Sequence, residues 1–300
     1  MIKLKGFKKC MMRKQKIIIL INLIFVFAAC GDSENSSTPQ PTIKENWYTT
    51  TKVTKNTYSI AEPKSSQRNV SYLIVGDEKA IMFDTGSGEN SGQDGTKMIY
   101  KLKELTSLPI TLLLSHFHFD HNQNIGEFKK VAFPDVPFLK QKVVNSTYSF
   151  TGEDLFIGNY PKNVTVNEWL PIKTDIDLGN KKIQIINIPG HTSESVAIID
   201  TTDKVAFLGD YLYNGELFLF NVDDIKKYKE SVDYLLSILD INYRLFGAHG
   251  TPEVSFNKLK DLQEFLKCIQ ESICTRVKEK YSGYNTLLYK NNDLSIRIFI

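Results

Sequence analysis

The placement of its five histidines constrains the fold of this 300-residue chain more than any other feature. Three occur in the stretch 115–121, which reads Ser-His-Phe-His-Phe-Asp-His; His191 follows Pro-Gly, and His249 lies between alanine and glycine. Each group comes after a segment with the pattern of a strand, so the fold has to bring the ends of distant strands together. No histidine is left over for a solvent-exposed face or for core packing, which favours a metal enzyme.

The first cluster has the form His-x-His-x-Asp-His. In extended backbone, His116 and His118 point to the same side. If the chain then turns, Asp120 and His121 face back toward a second point. Imidazole and carboxylate groups bind Zn²⁺ and several other divalent ions. One short loop can therefore supply ligands to two metal ions.

The apolar pattern predicts strands and helices in two groups along the chain. Segments 128–169 and 211–220 are weakly patterned, and we expect them to form the walls of a substrate pocket. Strands are predicted at 70–75, 79–84, 110–114, 176–178, 183–188, 195–199, 205–208, 243–246, 286–289 and 294–300, and helices at 96–105, 222–239 and 259–277.

Strands grouped with flanking helices in each half predict an α+β fold, with two sheets packed face to face and helices outside. The histidines follow strand ends, so they are expected on loops at one edge of this sandwich. The composition does not break again after about residue 43. Residues 43–300 are therefore expected to form a single domain.

Taken in order, these motifs resemble those of the metallo-β-lactamase superfamily, whose members are mostly hydrolytic enzymes. Asp84 in Phe-Asp-Thr-Gly resembles the first motif, and the 116–121 cluster resembles the second. His191, Asp210 in Leu-Gly-Asp, and His249 match the third, fourth and fifth. The match extends over most of residues 45–250, and it implies a four-layer αββα sandwich.

The resemblance also implies a ligand set for two metal ions, expected to be Zn²⁺, with manganese or iron as alternatives. It implies hydrolysis of a small carbonyl-containing substrate (an ester, lactone or thioester) by a metal-bridged hydroxide, with Asp120 counted among the catalytic residues. The ligands would be His116, His118 and His191 for one ion, Asp120, His121 and His249 for the other, and Asp210 between them.

Two further residues are singled out. Asp84 is interpreted as a support for the ligands, in an Asp-Thr-Gly turn at a strand end. Tyr213 lies three residues after Asp210, a spacing similar to that in the superfamily's N-acyl homoserine lactonases, where a tyrosine hydroxyl lies by the substrate carbonyl. Tyr213 is either a catalytic donor to an oxyanion or an aromatic packing residue.

Several activities stay open. The bridging Asp210 argues against the zinc β-lactamases proper, and Asn-Gly-Glu-Leu at 214–217 differs from the Gly-Arg-containing stretch of glyoxalase II enzymes. Lactone, ester, thioester, phosphodiester and β-lactam cleavage remain compatible. An oxidoreductase resembling the superfamily's persulfide dioxygenases would instead hold a single iron through His116, His191 and Asp210. A non-catalytic binding protein is disfavoured by the complete ligand set.

Residues 1–29 have the pattern of a targeting signal peptide. Basic residues precede an apolar stretch at 17–29 that is too short to span a bilayer, which takes about 20 residues. Phe-Ala-Ala-Cys-Gly at 27–31 resembles the lipobox of bacterial lipoproteins, implying cleavage before Cys30 and lipid attachment to its sulfur. The stretch 30–42 is rich in Ser, Asn, Thr and Pro and has almost no apolar residues, which predicts a flexible tether. We therefore expect a lipid anchor at the bacterial cell envelope, periplasmic or surface-facing.

The charge balance of the chain limits the classes of molecule that it is expected to bind. Of the 37 Lys and Arg residues, all but the seven in residues 1–29 lie in the mature chain, against 34 Asp and Glu. The mature protein is mildly acidic, and nothing suggests nucleic acid. A small-molecule substrate is expected, with membrane contact through the anchor only. Cys268 and Cys274 fall in the predicted helix about 9 Å apart along its axis, so we expect free thiols.

Overall fold

The computed structural model describes residues 47–89 and 97–300. The predicted signal peptide 1–29, the tether 30–42 and Cys30 lie outside the described residues. Among the helices described, none is long and apolar enough to cross a membrane. The strands are β1 (Thr49–Thr54), β2 (Thr57–Ala61), β3 (Val70–Val75), β4 (Ala80–Phe83), β5 (Ile110–Leu113), β6 (Val131–Pro134), β7 (Thr147–Ser149), β8 (Asn163–Thr165), β9 (Glu168–Leu170), β10 (Asp175–Asp177), β11 (Lys182–Asn187), β12 (Val196–Asp200), β13 (Val205–Phe207), β14 (Glu216–Leu219), β15 (Arg244–Phe246), β16 (Glu253–Val254), β17 (Arg276–Tyr281), β18 (Tyr284–Asn291) and β19 (Leu294–Phe299). The helices are α1 (Met98–Lys103), α2 (Phe119–Asn122), α3 (Pro137–Lys142), α4 (Gly152–Leu155), α5 (Asp224–Ile238) and α6 (Phe256–Gln270).

The first large sheet has the strand order β1-β2-β3-β4-β5-β6-β9. Its strands β3 and β4 are buried along their whole length, because both faces of the sheet are covered. Successive side chains of a strand point to opposite faces. Accordingly, Leu73 and Met82 pack with the residues of α1 and α3, while Tyr72 and Phe83 pack toward the second sheet.

The second large sheet has the order β10-β11-β12-β13-β15-β16. Ile185 and Ile198 point toward the first sheet and form the central apolar layer. Ile186 and Ile199 point the other way, into a third apolar cluster with α5 and α6. Three apolar clusters thus separate four layers, and the predicted α+β class and αββα sandwich are confirmed.

A smaller sheet with the order β14-β19-β18-β17 lies beside α6. One of its faces packs into the core with α5 and α6 through Leu217, Leu219, Ile296 and Ile298. The predicted strands 286–289 and 294–300 correspond to β18 and β19, whereas β14 and β17 were not predicted. The predicted helices 96–105 and 222–239 correspond to α1 and α5.

Two predictions at the third helix are wrong. The helix predicted at 259–277 ends at Gln270, and the chain from Arg276 onward pairs as β17. Cys268 and Cys274 form a disulfide, with their Cα atoms 5.3 Å apart. The helix ends between the two cysteines, and Ser272 at φ 58° turns the chain back, so the separation along a helix axis does not apply.

Candidate metal centre

The fold brings all seven predicted ligands to one edge of the sandwich. The 116–121 cluster follows β5, and its second half forms the short helix α2. His191 follows β11, Asp210 lies in a 3-10 turn after β13, and His249 follows β15. Strands β13 and β15 are parallel neighbours. The carboxyl ends of parallel strands meet at the same edge of a sheet, which places Asp210 near His249.

His116, His118 and His191 form the first group of side chains that could hold a metal ion. Nδ1 of His118 lies 3.0 Å from Nε2 of His116 and 3.1 Å from Nε2 of His191. All three side chains are buried. The nitrogens of three different rings therefore converge on one point.

Asp120, His121 and His249 form the second group. Oδ2 of Asp120 lies 3.4 Å from Nε2 of His121 and 3.7 Å from Nε2 of His249. These are the two groups into which the resemblance divides the ligands.

Asp210 lies between the two groups, and its two oxygens face different ones. Oδ1 is 2.8 Å from Nε2 of His249 and 3.2 Å from Nε2 of His121. Oδ2 is 3.8 Å from Nε2 of His191 and 4.0 Å from Nε2 of His116. A carboxylate in this position can contact an ion in each group.

Partners outside the cluster orient the rings. Nδ1 of His191 contacts the carbonyl oxygen of Phe218 at 2.8 Å, and Nδ1 of His249 contacts that of Gln67 at 2.9 Å. A carbonyl oxygen only accepts hydrogen bonds, so both Nδ1 atoms carry a proton. Each Nε2 is thereby turned toward the cluster, as is usual for histidine ligands of metals.

The donor set fits divalent cations. Nε2 of His121 and Oδ1 of Asp210 are buried and, although they lie close to each other and to the other ligands, neither makes a hydrogen bond of good geometry among the described residues. Buried polar atoms without a partner are costly and call for an explanation such as an ion. The close approach of ring nitrogens in the first group has the same explanation, because a shared cation satisfies several lone pairs at once.

The surroundings of the first group favour the neutral form of its three imidazole rings. Burial, together with the neighbouring histidines, lowers the pKa of His116 well below its ordinary value and that of His118 to about 3. Burial also lowers the pKa of His191. These imidazoles stay neutral, which is the form that binds a metal.

The second group behaves in the opposite way because it contains carboxylates. Burial opposes the charge on His121 and His249, but Asp120 and Asp210 outweigh it and raise both pKa values. Burial likewise opposes the charge on Asp120 and Asp210, yet the two histidines hold their pKa values below the ordinary range. A bound cation would take the place of the imidazole protons.

Asp84 supports the cluster as its position in the sequence suggested. Its Oδ1 accepts a hydrogen bond from the backbone N–H of Ser115 at 2.6 Å, and its Oδ2 lies 3.0 Å from Nδ1 of His121. Asn69, which belongs to none of the motifs, donates from Nδ2 to Oδ2 of Asp120 at 3.0 Å and to its backbone oxygen at 2.9 Å. A lone Asn before a strand carries no signal of such a role in a single sequence.

A buried glutamate underlies the loop that follows Asp84. Glu62 accepts hydrogen bonds from Nε1 of Trp47 and from the backbone N–H of Ser87, both at 2.9 Å. Gly86, at φ 72°, passes so close that a Cβ there would lie 2.0 Å from the Glu62 carboxylate. Burial raises the pKa of Glu62 to about 7.

A cavity of about 720 Å³ opens over the ligands. Tyr213 lines it, with its ring centroid 4.9 Å from that of His249. The Tyr213 hydroxyl donates to the backbone oxygen of Glu216, and burial raises its pKa well above the ordinary value. The catalytic role of Tyr213 stays a prediction.

The cavity walls are only partly those that the sequence predicted. Phe156 and Ile157 come from the segment 128–169. The second weakly patterned segment supplies Tyr213, Asn214, Gly215, Glu216, Phe218 and Phe220. Strands β17, β18 and β19 supply further lining residues, which were not predicted. The available signal was the alternation in β19, where Arg297 and Phe299 face the cavity and Ile296 and Ile298 face the core.

Comparisons with known proteins agree with this geometry. Residues 68–249 match the family model described as Metallo-beta-lactamase superfamily. The chain is 26% identical over 203 residues to the acyl-coenzyme A thioesterase MBLAC2 of Homo sapiens, covering 59% of this chain and 70% of that protein. It is 26% identical over 164 residues to the hydroxyacylglutathione hydrolase GloC of Haemophilus influenzae, covering 50% and 68%.

Solved structures show the same fold. The metallo-beta-lactamase from Pontibacter korlensis gives a TM-score of 0.56 at 15% identity, covering 73% of this chain and 99% of that one. The BLEG-1 B3 metallo-beta-lactamase gives 0.50 at 20% identity, covering 70% and 99%.

Proposed function

The chain belongs to the metallo-β-lactamase superfamily and is a metal-dependent hydrolase. We propose that it holds two divalent ions, expected to be Zn²⁺, and that it cleaves a thioester or a related ester. The observation that carries the two-ion proposal is the position of Asp210, whose two oxygens face different groups of histidines. The substrate class is supported by relatives named as an acyl-coenzyme A thioesterase and a hydroxyacylglutathione hydrolase.

The described residues define the roles in this proposal. His116, His118 and His191 would hold one ion, and Asp120, His121 and His249 the other. When bound, such ions would supply Lewis acidity and would lower the pKa of a water molecule, so that a hydroxide nucleophile would be available near neutral pH. Asp120 and Asp210 would offset two of the four positive charges of two Zn²⁺, so a substrate carbonyl oxygen would meet a net positive site.

Neighbouring groups orient the ligands and line the cavity beside them. The carbonyl oxygens of Phe218 and Gln67 fix two of the imidazole rings. Tyr213 lies on the cavity wall beside His249. Its hydroxyl could stabilise an oxyanion by exchanging its bond to the Glu216 carbonyl for one to the substrate.

A substrate panel with the metal-loaded protein tests the activity. We expect thioesters and esters to be hydrolysed faster than a β-lactam or a phosphodiester. The Asp210→Asn variant should lose at least a hundredfold in kcat, and the matched Asp261→Asn change at an exposed position of α6 should leave it unaltered. Binding of one iron only, with sulfite released from a persulfide, would instead support the dioxygenase alternative.

We also propose that the protein is lipid-anchored in the bacterial envelope through Cys30. The sequence at 27–31 supports the anchor, and the disulfide between Cys268 and Cys274 suits an oxidising compartment, where disulfides persist. The Cys30→Ser variant should move from the membrane fraction to the soluble fraction of the cell. An unchanged distribution, or wild-type protein that stays in the cytoplasm, would refute the anchor.

A further inference from the structure

The small sheet presents an aromatic face to the cavity. In β14 and β19, alternate residues point to opposite sides of the sheet. Leu219 and Ile298 face the core, whereas Phe218 and Phe299 line the cavity. Most of this sheet lies beyond residue 249, outside the range that matches the family model.

The aromatic face continues from the metal ligands without a break. The ring of Phe220 lies 4.8 Å from that of His118 and 5.4 Å from that of His191. On its other side Phe220 stacks on Phe299 at 5.2 Å, with the planes 11° apart. Tyr284 follows at 5.7 Å from Phe299. The rings form a strip that leads from the metal centre to the mouth of the cavity.

Several of these aromatic side chains are partly exposed to solvent and are not buried in the core. Tyr284 is 60% exposed, Tyr281 39% and Phe156 37%. Phe156 closes the strip from the side, 4.7 Å from Phe220. A cluster of half-exposed aromatic residues is unusual on a soluble surface and marks a binding site.

The cationic residue that the small sheet contributes to the cavity, Arg297, is paired with two carboxylates. Arg297 donates to both carboxylate oxygens of Glu216 and to Glu279. Its guanidinium lies 4.5 Å from the ring centroid of Tyr281. Arg297 therefore holds the face together and does not offer a free charge to an anionic ligand.

We propose that this aromatic strip is the subsite for an apolar acyl group of the substrate, alkyl or aromatic, with the scissile carbonyl at the metal ligands. The inference rests on the proposed hydrolase function and names its substrate class. A cavity of about 720 Å³ has the size of sites that enclose a small organic ligand. An apolar group lying along the rings displaces water from them, whereas a polar acyl group gains nothing there.

A chain-length series tests the subsite. Full burial of one CH₂ group corresponds to about fourfold in kcat/KM, and on a half-exposed strip we expect about twofold per CH₂ from acetyl to octanoyl thioesters. The Tyr284→Ala and Phe299→Ala variants should flatten this dependence, because kcat/KM should fall most for the longest acyl chains. Tyr100→Ala, which removes a ring exposed to 55% on α1, is the matched control and should keep the wild-type slope.

Ligand binding provides a readout that does not need turnover. Octanoate should raise the Tm of the metal-loaded protein more than acetate, and Tyr284→Ala should reduce the difference. Hydrolysis with no dependence on acyl length, or an equal slope in wild type and Tyr284→Ala, overturns the subsite while leaving the hydrolase intact. Selective octanoate binding without hydrolysis of any ester supports the subsite and overturns the proposed function instead.

Discussion

Replacing Asp84 by asparagine should weaken one half of the metal centre and spare the other. In the Asp84→Asn variant the amide oxygen keeps the hydrogen bond from the backbone N–H of Ser115, while the NH₂ group faces Nδ1 of His121. Two donors cannot share a hydrogen bond, so Nδ1 becomes the acceptor and the proton moves to Nε2, the atom that faces the other ligands. Asp84 has φ 68°, a conformation that asparagine tolerates as well as aspartate.

The expected magnitude follows from the bond that is lost. A hydrogen bond to a charged group contributes about 1.5–3 kcal/mol, and about 1.36 kcal/mol corresponds to a factor of ten. The Asp84→Asn variant should therefore bind its second ion about 10–100-fold more weakly, the range found for outer partners of metal ligands. The site made by His116, His118 and His191 has no hydrogen bond to Asp84 among the described residues and should keep its affinity.

Chelator competition with measurement of bound metal separates the two sites. Wild type should release two ions in nearly coincident steps. The Asp84→Asn variant should lose the ion held by Asp120, His121 and His249 at a much lower chelator concentration than the other ion. Asp200→Asn is the control for the loss of a buried carboxylate away from the ligands. Asp200 accepts two backbone N–H bonds and pairs with the buried Lys181. It lies at the end of β12 opposite to Val196, whose N–H donates to the backbone oxygen of Ser115 beside the ligands. Equal weakening of both ions, or no weakening, would refute the reasoning.

Three further predictions concern other parts of the chain. Burial raises the pKa of Glu62 to about 7, so its contribution to stability is full below the unfolded pKa of 4.5 and is lost as the pH rises through 7. Relative to Glu62→Gln, the free energy of unfolding of wild type should fall by on the order of 3 kcal/mol between those pH values, as measured by denaturant unfolding. Parallel pH profiles of the two proteins would contradict this. Cys268→Ser should destabilise the protein by about 2 kcal/mol, as expected for a short closed loop, and reductant should lower the Tm of wild type but not of the variant; two titratable thiols in the native protein would exclude the disulfide. Tyr213→Phe should lower kcat about 100-fold with little change in KM if the hydroxyl serves the oxyanion, and an unchanged kcat would assign Tyr213 to packing.

The sequence was sufficient for the parts of the site that depend on local motifs. The ligands lie directly after strands whose apolar runs are clear, so both their chemistry and their edge of the sandwich could be predicted. The interpretation of Asp84 as a support also rested on a local turn. The partners that reach the ligands from distant segments, such as Asn69 and the carbonyl oxygen of Phe218, depend on tertiary packing and have no local pattern.

The C-terminal region shows where periodicity misleads. Ile273 and Val277 continue the helical spacing of α6, yet both are exposed, at 71% and 58%. Their pattern predicts a helix because a single sequence does not reveal which apolar residues lie in the core. The same error hid the disulfide between Cys268 and Cys274, and with it the strand β17 that completes the aromatic face.

Anomalous diffraction from crystals of the metal-loaded protein tests the central claim most directly. We expect two metal peaks about 3.5–4 Å apart, one bound by the three-histidine group and the other by the group of Asp120. Oδ1 and Oδ2 of Asp210 should each contact a different ion. A single peak, or two peaks with Asp210 bound to neither or to only one, would contradict it.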